Sequence, residues 1–210
     1  MWLIIGKSSL ELREKIIEAA TGLFRQFGVR SVTMDDIARQ AGMSKKTIYQ
    51  EFKNKGELVF EAFSAFLEKD ECKLQEIFDR EDGVIEHFVQ MSKFIRERYS
   101  DMNPIILNEI KRFYPQSWKR FEEFKREHAT KGMVEILERG KRLGYFRKEI
   151  NVEIMAMMRM EQVAFNYQSL PSASKFNMME LQLQIFDHFI HGVLTDKGRT
   201  AYYNEPTNQN

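Results

Sequence analysis

The side chains best suited to chemistry lie close together, in the sequence AGMSKKTIYQEF of residues 41–52. Two lysines, two hydroxyl-bearing residues and an amide follow one another there: Lys45, Lys46, Thr47, Tyr49 and Gln50. Lysine neutralises phosphate charge, hydroxyl groups donate hydrogen bonds to phosphate oxygens, and a glutamine amide pairs with the edge of adenine. The segment therefore suits contact with a nucleic acid.

Two short predicted helices, joined by a glycine-containing turn, would position these side chains. Thr33 with Asp36 has the spacing of a helix capping box, and Gly42 is expected to end the helix that begins there. Ser44 is placed to cap the next helix. Two helices joined by a tight turn form a helix-turn-helix, whose second helix enters the major groove of DNA.

Longer helices flank this motif. Ser8 with Glu11 predicts the start of a first helix that Gly28 ends, and Asn54 with Glu57 predicts the start of a long fourth helix. The apolar residues recur with a helical period through the rest of the chain, so the fold class is predicted to be all-α. Further helices are predicted near 84–100, 104–113, 117–143, 151–168 and 177–195.

Composition narrows the classes of function. The 210 residues carry a formal net charge of +1, yet residues 1–56 hold ten lysines and arginines against six acidic residues. This local excess favours an anionic partner for the amino-terminal part. The single cysteine, Cys72, excludes an intramolecular disulfide and a cysteine zinc site. Because we find no secretory signal and no apolar run of membrane-spanning length, we expect a cytoplasmic protein without a membrane partner.

Catalytic and metal-binding patterns are weak. The sequence GKSS at residues 6–9 lacks the earlier glycine of a phosphate-binding loop. His188 and His191 lie one helical turn apart, but no third metal ligand is evident near them. The sequence contains no nucleophile elbow, metal triad or glycine-rich cofactor loop. We therefore expect a protein that is not an enzyme and needs no cofactor.

The segment TMDDIARQAGMSKKTIYQEFKNKGELV, residues 33–59, resembles the DNA-binding signature of the TetR family of bacterial transcriptional regulators. The resemblance implies phosphate contacts at Thr33 and Tyr49, and a lysine, Lys55, that opens the following helix near the DNA. Together, the pattern and the resemblance predict eight DNA-binding residues: Thr33, Ser44, Lys45, Lys46, Thr47, Tyr49, Gln50 and Lys55.

Two residues depart from the family pattern. Lys46 stands where many members have glycine, and Glu51 stands where an aromatic or basic residue is common. We expect Lys46 to add a base or phosphate contact, whereas Glu51 leaves the contacts on that side open. Downstream, residues 132–158 are similar to the stretch that many members carry between a core helix and the dimerisation helices.

The predicted domains follow from this organisation. Residues 1–55 are expected to form a three-helix DNA-binding domain with the helix-turn-helix, residues 56–195 a helical effector-binding and dimerisation domain, and residues 196–210 a flexible tail. Methionine and aromatic side chains of the second domain suit an apolar ligand cavity with a few polar anchors, although tight packing without a cavity is an open alternative. The candidate ligand-binding residues are Met91, Phe94, Tyr99, Phe113, Trp118, Phe121, Phe124, His128, Met157, Met160, Gln162 and Asn166.

The last two predicted helices carry apolar residues on both of their faces, so each needs neighbours on two sides. Pairing them with their two-fold mates would give a homodimer, as the resemblance also implies. The candidate interface residues are Val163, Tyr167, Phe186, Phe189, Ile190 and Val193. The predicted function is a repressor that a small apolar effector releases from a palindromic operator. The alternative is a helical small-molecule-binding or scaffolding protein without operator binding.

Overall fold

The computed structural model describes residues 2–81, 83–100, 102–103, 105–169 and 177–205, and at residues 2–9 and 164–169 it describes the backbone alone. Within these residues the fold is all-α, as predicted. A π-helical segment, Lys125–Thr130, follows α7 and precedes α8. The α-helices are α1 (Trp2–Phe27), α2 (Met34–Ala41), α3 (Lys45–Glu51), α4 (Lys55–Phe78), α5 (Val84–Tyr99), α6 (Ile106–Phe113), α7 (Pro115–Phe124), α8 (Lys131–Arg142), α9 (Val152–Ser169), α10 (Met178–Val193) and α11 (Asp196–Asn204).

The chain divides into two compact units. The first consists of Met1–Glu68 and Asp101–Phe121, and the second of Lys69–Ser100 and Glu122–Asn210. The first unit thus holds the helix-turn-helix together with α6, which is distant in sequence. The two compact units divide the chain after residues 68, 100 and 121. The domain boundary that the sequence predicts after residue 55 remains a prediction.

The core of the first unit joins α1 to the helix-turn-helix. The apolar residues that face inward recur every three or four positions, as expected for helices with one buried side. Those buried in this part of the unit are Ile16, Ala20, Phe24, Ile37, Ala38, Ala41, Ile48 and Phe52. Because Ile48 and Phe52 point inward, the opposite side of α3 is left to face solvent.

Aromatic rings form the centre of the second unit. The ring of Phe88 on α5 lies edge-on to Phe146 at 5.2 Å and stacked on Phe186 at 6.0 Å between centroids. Phe146 also packs against α8 at Gly140, where a Cβ atom would lie 2.0 Å from its ring. Phe186 is 1% exposed. This cluster ties α5, α8 and α10 into one core.

Several helix ends differ from the prediction. The first helix begins at Trp2, so Ser8 lies inside the helix and does not cap it. Gly6 lowers helix propensity but does not break a helix, which allows the backbone to continue through residues 2–7. The predicted helix at 117–143 begins at Pro115, because proline is well tolerated in a first helical turn.

The prediction of a flexible tail over residues 196–210 is wrong for residues 196–204, which form α11 (Asp196–Asn204). Thr195 caps this helix by accepting a hydrogen bond from the Gly198 amide at 3.1 Å. Tyr202 is buried, and Nε2 of His191 lies 2.8 Å from the hydroxyl oxygen of Tyr203. A cap and a buried ring hold this helix, while the other part of the predicted tail, residues 206–210, lies outside the described residues.

Candidate DNA-binding surface

Local capping contacts shape the turn between α2 and α3. The hydroxyl oxygen of Thr33 accepts a hydrogen bond from the Asp36 amide at 3.1 Å, and the Asp36 carboxylate accepts one from the Thr33 amide at 2.9 Å. Gly42 ends α2 with a φ of 68°, and Ser44 caps α3 by accepting from the Thr47 amide at 3.1 Å. The hydrogen bond from the Thr33 hydroxyl is the main cause that lowers the pKa of Asp36. The capping signals predicted for α2 and α3 are therefore confirmed.

The outward face of α3 carries most of the predicted DNA contacts. Ile48 is fully buried, whereas Lys45, Lys46, Tyr49 and Gln50 are exposed. Within the described part of the chain, the side chains of Lys46, Tyr49 and Gln50 have no hydrogen-bond partner. Ser44 is exposed at the cap and Thr47 is half-buried beside it. One short helix thus presents ammonium, phenol and amide groups together, free to bind another molecule.

Lys45 differs from its neighbours because it already has a partner on α2. Its Nζ donates to the carboxylate of Asp35, with N–O distances of 2.9 and 3.0 Å to the two oxygens. This hydrogen bond and the charge of Asp35 raise the pKa of Lys45. Both side chains are exposed, so water screens the pair, and a DNA phosphate can replace the carboxylate as the partner of Lys45.

Glu51, which departs from the family pattern, is engaged with α1. Nη1 of Arg13 donates to the backbone oxygen of Glu51 at 2.6 Å and lies 4.0 Å from its carboxylate. The same guanidinium lies 4.3 Å from the centre of the Phe52 ring. Arg13 therefore holds the carboxyl end of α3 against α1, mainly through the backbone oxygen of Glu51.

Glu109 on α6 anchors the turn that leads into the helix-turn-helix. One oxygen of its carboxylate accepts hydrogen bonds from the amides of Val29 at 2.6 Å and Arg30 at 2.9 Å. The chain approaches α6 closely at Gly28, whose φ of 81° suits glycine and where a Cβ atom would lie 3.0 Å from Ile105. Glu109 is 9% exposed. Glu109 is not predictable from the sequence, because nothing local links it to a turn 80 positions earlier.

Two further contacts hold the same turn within the first unit. The backbone amide of Asn103 donates a hydrogen bond to the backbone carbonyl of Arg25 at 2.9 Å. Its side-chain amide donates to the backbone carbonyl of Gln26 at 3.2 Å. Lys55, a predicted DNA contact, is half-buried, and its Nζ donates to the carbonyl of Arg30 at 3.3 Å. Burial lowers the pKa of Lys55. Lys55 thus lies against the turn that Glu109 caps.

The predicted ligand-binding residues fall into both units. Phe113, Trp118 and Phe121 belong to the first unit, and the others belong to the second. Phe113 and Met157 are exposed, at 41% and 54%, so neither side chain lines an enclosed cavity in its own unit. The side chain of Asn166 lies outside the described residues. The remaining candidates in the second unit are Met91, Phe94, Tyr99, Phe124, His128, Met160 and Gln162.

Buried polar groups of the second unit lack partners inside the described structure. Oε1 of Gln162 on α9 is buried without a hydrogen bond, and so are both polar atoms of the Gln182 side chain on α10. Gln182 is fully buried, and Gln162 was predicted as a polar anchor. Gln182 is not among the predicted residues, because a glutamine on an apolar helix resembles a surface residue until its neighbours are known.

Four of the predicted interface residues are buried inside their own unit, which corrects that assignment. They are Phe186, Phe189, Ile190 and Val193, none of them more than 7% exposed. These side chains pack the core because α10 turns that face toward α5. Val163 is half-buried, and the side chain of Tyr167 lies outside the described residues. Among the side chains of α9 that the structure describes, the exposed large apolar ones are Ile154, Met157 and Met158.

Of the helices that the structure describes, none is both long and apolar enough to cross a membrane. No group of three or more histidine, cysteine or acidic side chains among the described residues could hold a metal ion.

The chain resembles known regulators in sequence. Residues 16–62 match the sequence model of the family described as bacterial regulatory proteins, tetR family. The HTH-type transcriptional repressor KstR2 of Mycobacterium tuberculosis is 26% identical over 147 residues, which cover 68% of this chain and 73% of that protein. YvaF of Bacillus subtilis, an uncharacterized HTH-type transcriptional regulator, is 24% identical over 192 residues, or 90% of this chain and 98% of that protein.

Solved structures share the fold. A TetR-family regulator from Agrobacterium tumefaciens superposes with a TM-score of 0.73 at 16% identity, covering 89% of this chain and 100% of that one. FadR from Bacillus subtilis, in complex with stearoyl-CoA, superposes with a TM-score of 0.60 at 19% identity, covering 85% and 98%. At these identities the likeness concerns the fold.

Proposed function

We propose that this chain, a TetR-family transcriptional regulator, is a repressor that binds a palindromic operator as a homodimer and leaves it when a small, mainly apolar ligand binds. The observation that carries the DNA-binding part is the outward face of α3, with Lys46, Tyr49 and Gln50 held by capped helices and free of internal partners. These groups match phosphate and base-edge chemistry in the major groove. The alternative without operator binding has only Glu51 in its support, and the gel-shift assay below separates it from the repressor.

A gel-shift assay with DNA from upstream of the protein's own gene tests operator binding. We expect a shifted band that an unlabelled copy of the same DNA removes and that random DNA of equal length does not. Specific binding should exceed nonspecific binding by several orders of magnitude at physiological salt. A protein that shifts both DNAs equally, or neither, would contradict the repressor and favour the ligand-binding alternative.

Substitutions on α3 should separate base contacts from phosphate contacts. Lys46→Ala and Gln50→Ala are expected to reduce specific affinity, because a bidentate base contact contributes about 1–3 kcal/mol. Tyr49→Phe and Lys55→Ala should weaken binding to all sequences alike, and Lys55→Ala should reduce the salt dependence by about one phosphate contact. Measuring the affinity of each variant for operator and for random DNA over a series of salt concentrations distinguishes base contacts from phosphate contacts.

The matched control for these variants is Lys69→Ala, which removes an exposed lysine from the second unit. It should leave operator affinity unchanged. If Lys46→Ala and Tyr49→Phe also bind operator with unchanged affinity, then α3 does not enter the groove as proposed.

The exposed stripe on α9 supports the homodimer. Ile154, Met157 and Met158 lie three and four positions apart and so share one side of the helix, while Val152 and Ala156 are buried on another. An apolar stripe that faces water favours association with a second copy around a two-fold axis. The two copies of α3 would then bind two half-sites of the operator. The centres of these half-sites would be separated by about one helical turn of DNA or a multiple of it.

Met157→Glu should dissociate the dimer, because it places a charge in the middle of this stripe. Sedimentation equilibrium at micromolar concentration should show monomers for the variant and dimers for the natural protein. Leu143→Glu, which changes an exposed apolar residue elsewhere in the second unit, is the control and should remain dimeric. A natural protein that sediments as a monomer would rule out the dimer.

Effector control is supported by two features. The second unit contains buried polar groups without partners, such as Gln182, in an apolar interior, and the related FadR of Bacillus subtilis binds stearoyl-CoA in its solved structure. Helix α4 begins at Lys55, beside the proposed DNA contacts, and continues past residue 68 into the second unit. By linkage, ligand and operator would weaken each other's binding by the same factor, typically 1–3 kcal/mol.

A further inference from the structure

Two arginines of the first unit lie beside one exposed aromatic ring. The guanidinium carbon of Arg30 is 4.6 Å from the centre of the Phe113 ring, and that of Arg112 is 5.3 Å from it. Arg30 belongs to the turn before α2, whereas Arg112 and Phe113 form the end of α6. All three residues are exposed, the phenylalanine to 41%. The fold thus gathers two positive charges from distant parts of the sequence into one arginine surface, formed by Arg30, Arg112 and Phe113.

No acidic side chain pairs with these two charges. Within the described part of the chain, neither guanidinium forms an ion pair with a carboxylate. The carboxylate of Glu109 accepts from two backbone amides of the turn, and that of Glu57 accepts from the Lys53 amide at 2.8 Å. The aromatic ring attracts cations through its quadrupole but carries no net charge. Because like charges close together repel, an anion at the arginine surface would stabilise them.

The arginine surface adjoins a predicted DNA contact. Nζ of Lys55 donates to the backbone carbonyl of Arg30 at 3.3 Å. Burial is the largest cause that lowers the pKa of Lys55, and the charge of Arg30 lowers it further. An open groove between the end of α6 and the start of α4 is lined by Phe113 and Asn54. The arginine surface therefore lies on the side of the first unit that carries Lys55.

We propose that the arginine surface binds the phosphate backbone of DNA beside the stretch that α3 contacts, with one phosphate on each guanidinium. A guanidinium can bind a phosphate through two parallel N–H donors, and an aromatic face stacks on it without using those donors. The inference rests on the proposed function, because it extends the operator contacts of α3 and Lys55 to a residue of α6.

Arginine-to-glutamine variants test this surface on the full-length protein. Arg30→Gln and Arg112→Gln should each weaken binding to operator and to random DNA by the same factor, because phosphates carry no sequence information. Each should also lower the slope of log affinity against log salt by about 0.9, as expected for one lost phosphate contact. When salt rises from about 50 to 200 mM, the affinity of each variant should therefore fall about three- to four-fold less than that of the natural protein.

Two further variants separate a phosphate contact from a structural role. Lys111→Gln removes an exposed cation from the same helix, but its ammonium lies beside Trp118, 5.1 Å from the ring centre. This control should leave the salt slope unchanged. Arg112→Lys keeps the charge but cannot bind a phosphate bidentately, so it should keep the slope at a lower affinity. Urea unfolding checks that each variant is folded.

Neutral phosphates probe the same contacts from the side of the DNA, so the natural protein can be used. A series of operator duplexes carries a methylphosphonate at one backbone position each, which removes the charge of that phosphate. At two positions in each half-site, this change should weaken binding of the natural protein but not of the matching arginine variant. Unchanged salt slopes in both glutamine variants, or the absence of any such position, would overturn the arginine surface.

Operator preference is measured on the same preparations, so the two proposals fail separately. A protein that prefers operator to random DNA but keeps its salt slope in both glutamine variants contradicts the arginine surface alone. A protein that shows the expected slopes without a preference for operator contradicts the proposed function alone.

Discussion

Glu109→Ala is expected to destabilise the first unit and to weaken operator binding, although Glu109 does not lie on the face proposed to contact DNA. The substitution removes the acceptor for the Val29 and Arg30 amides, which lie 2.6 and 2.9 Å from one carboxylate oxygen. Hydrogen bonds to a charged group contribute about 1.5–3 kcal/mol each. Because two such bonds are lost, we expect the free energy of unfolding to fall by about 3–6 kcal/mol, measured by urea denaturation.

The effect on DNA follows from where these amides lie. Val29 and Arg30 precede the cap of α2 at Thr33, so a loose turn lets α2 and α3 move relative to α1. Hydrogen exchange at both amides should be faster in Glu109→Ala than in the natural protein. Operator affinity should fall while its salt dependence is unchanged, because no phosphate contact is removed.

Glu109→Gln gives a graded comparison. Its amide oxygen can accept the same two hydrogen bonds without the charge, so stability and affinity should lie between those of the natural protein and Glu109→Ala. Glu14→Ala, which removes an exposed carboxylate from α1, is the matched control and should change stability by less than about 0.5 kcal/mol. An unfolding free energy for Glu109→Ala equal to that of the control would refute this role for the carboxylate.

Phe186→Ala should reduce the free energy of unfolding by about 3–5 kcal/mol, the range for removing a fully buried aromatic ring. Phe186 is 1% exposed, stacks on Phe88 at 6.0 Å and lies under the guanidinium of Arg159 at 5.2 Å. Its loss would leave a cavity among α5, α9 and α10. Urea unfolding at several protein concentrations checks the size of the effect.

Concentration dependence separates a core role from an interface role. If Phe186 packs the core, the loss of stability should be the same at low and high protein concentration relative to the natural protein. Met158→Ala, which truncates an exposed side chain on α9, should change the stability of the separated subunits by less than about 0.5 kcal/mol. A Phe186→Ala protein that unfolds like the natural one but no longer dimerises would return Phe186 to the interface.

The helix-turn-helix could be predicted because its signals are local. The cap at Thr33, the end of α2 at Gly42 and the cap at Ser44 each depend on residues three or four positions apart, and all three are as expected. The inward positions of Ile48 and Phe52 follow from the same helical period. Once those positions are fixed, Lys46, Tyr49 and Gln50 can only face outward.

Long-range partners could not be predicted in this way. Glu109 meets its amides about 80 positions earlier in the chain, and Arg13 meets Glu51 across 38 positions. Acidic residues on helices are usually solvated, and only the close packing of α6 against the turn at Gly28 turns this one into a cap. His87 lies in the first turn of α5, and only the packing of the second unit leaves its side chain 1% exposed.

The sequence by itself determined the all-α class, the helix-turn-helix and the outward chemistry of α3, since caps and helical periodicity act between near neighbours. It could not choose the buried face of α10, because apolar residues occupy two faces of that helix. The tertiary structure chose the face with Phe186 and Ile190, which pack inside the second unit. It also folded residues 196–204 into α11, where a single buried ring, Tyr202, gives too weak a pattern to detect along the chain. Burial depends on which surfaces meet in space, and that is decided by packing between distant segments.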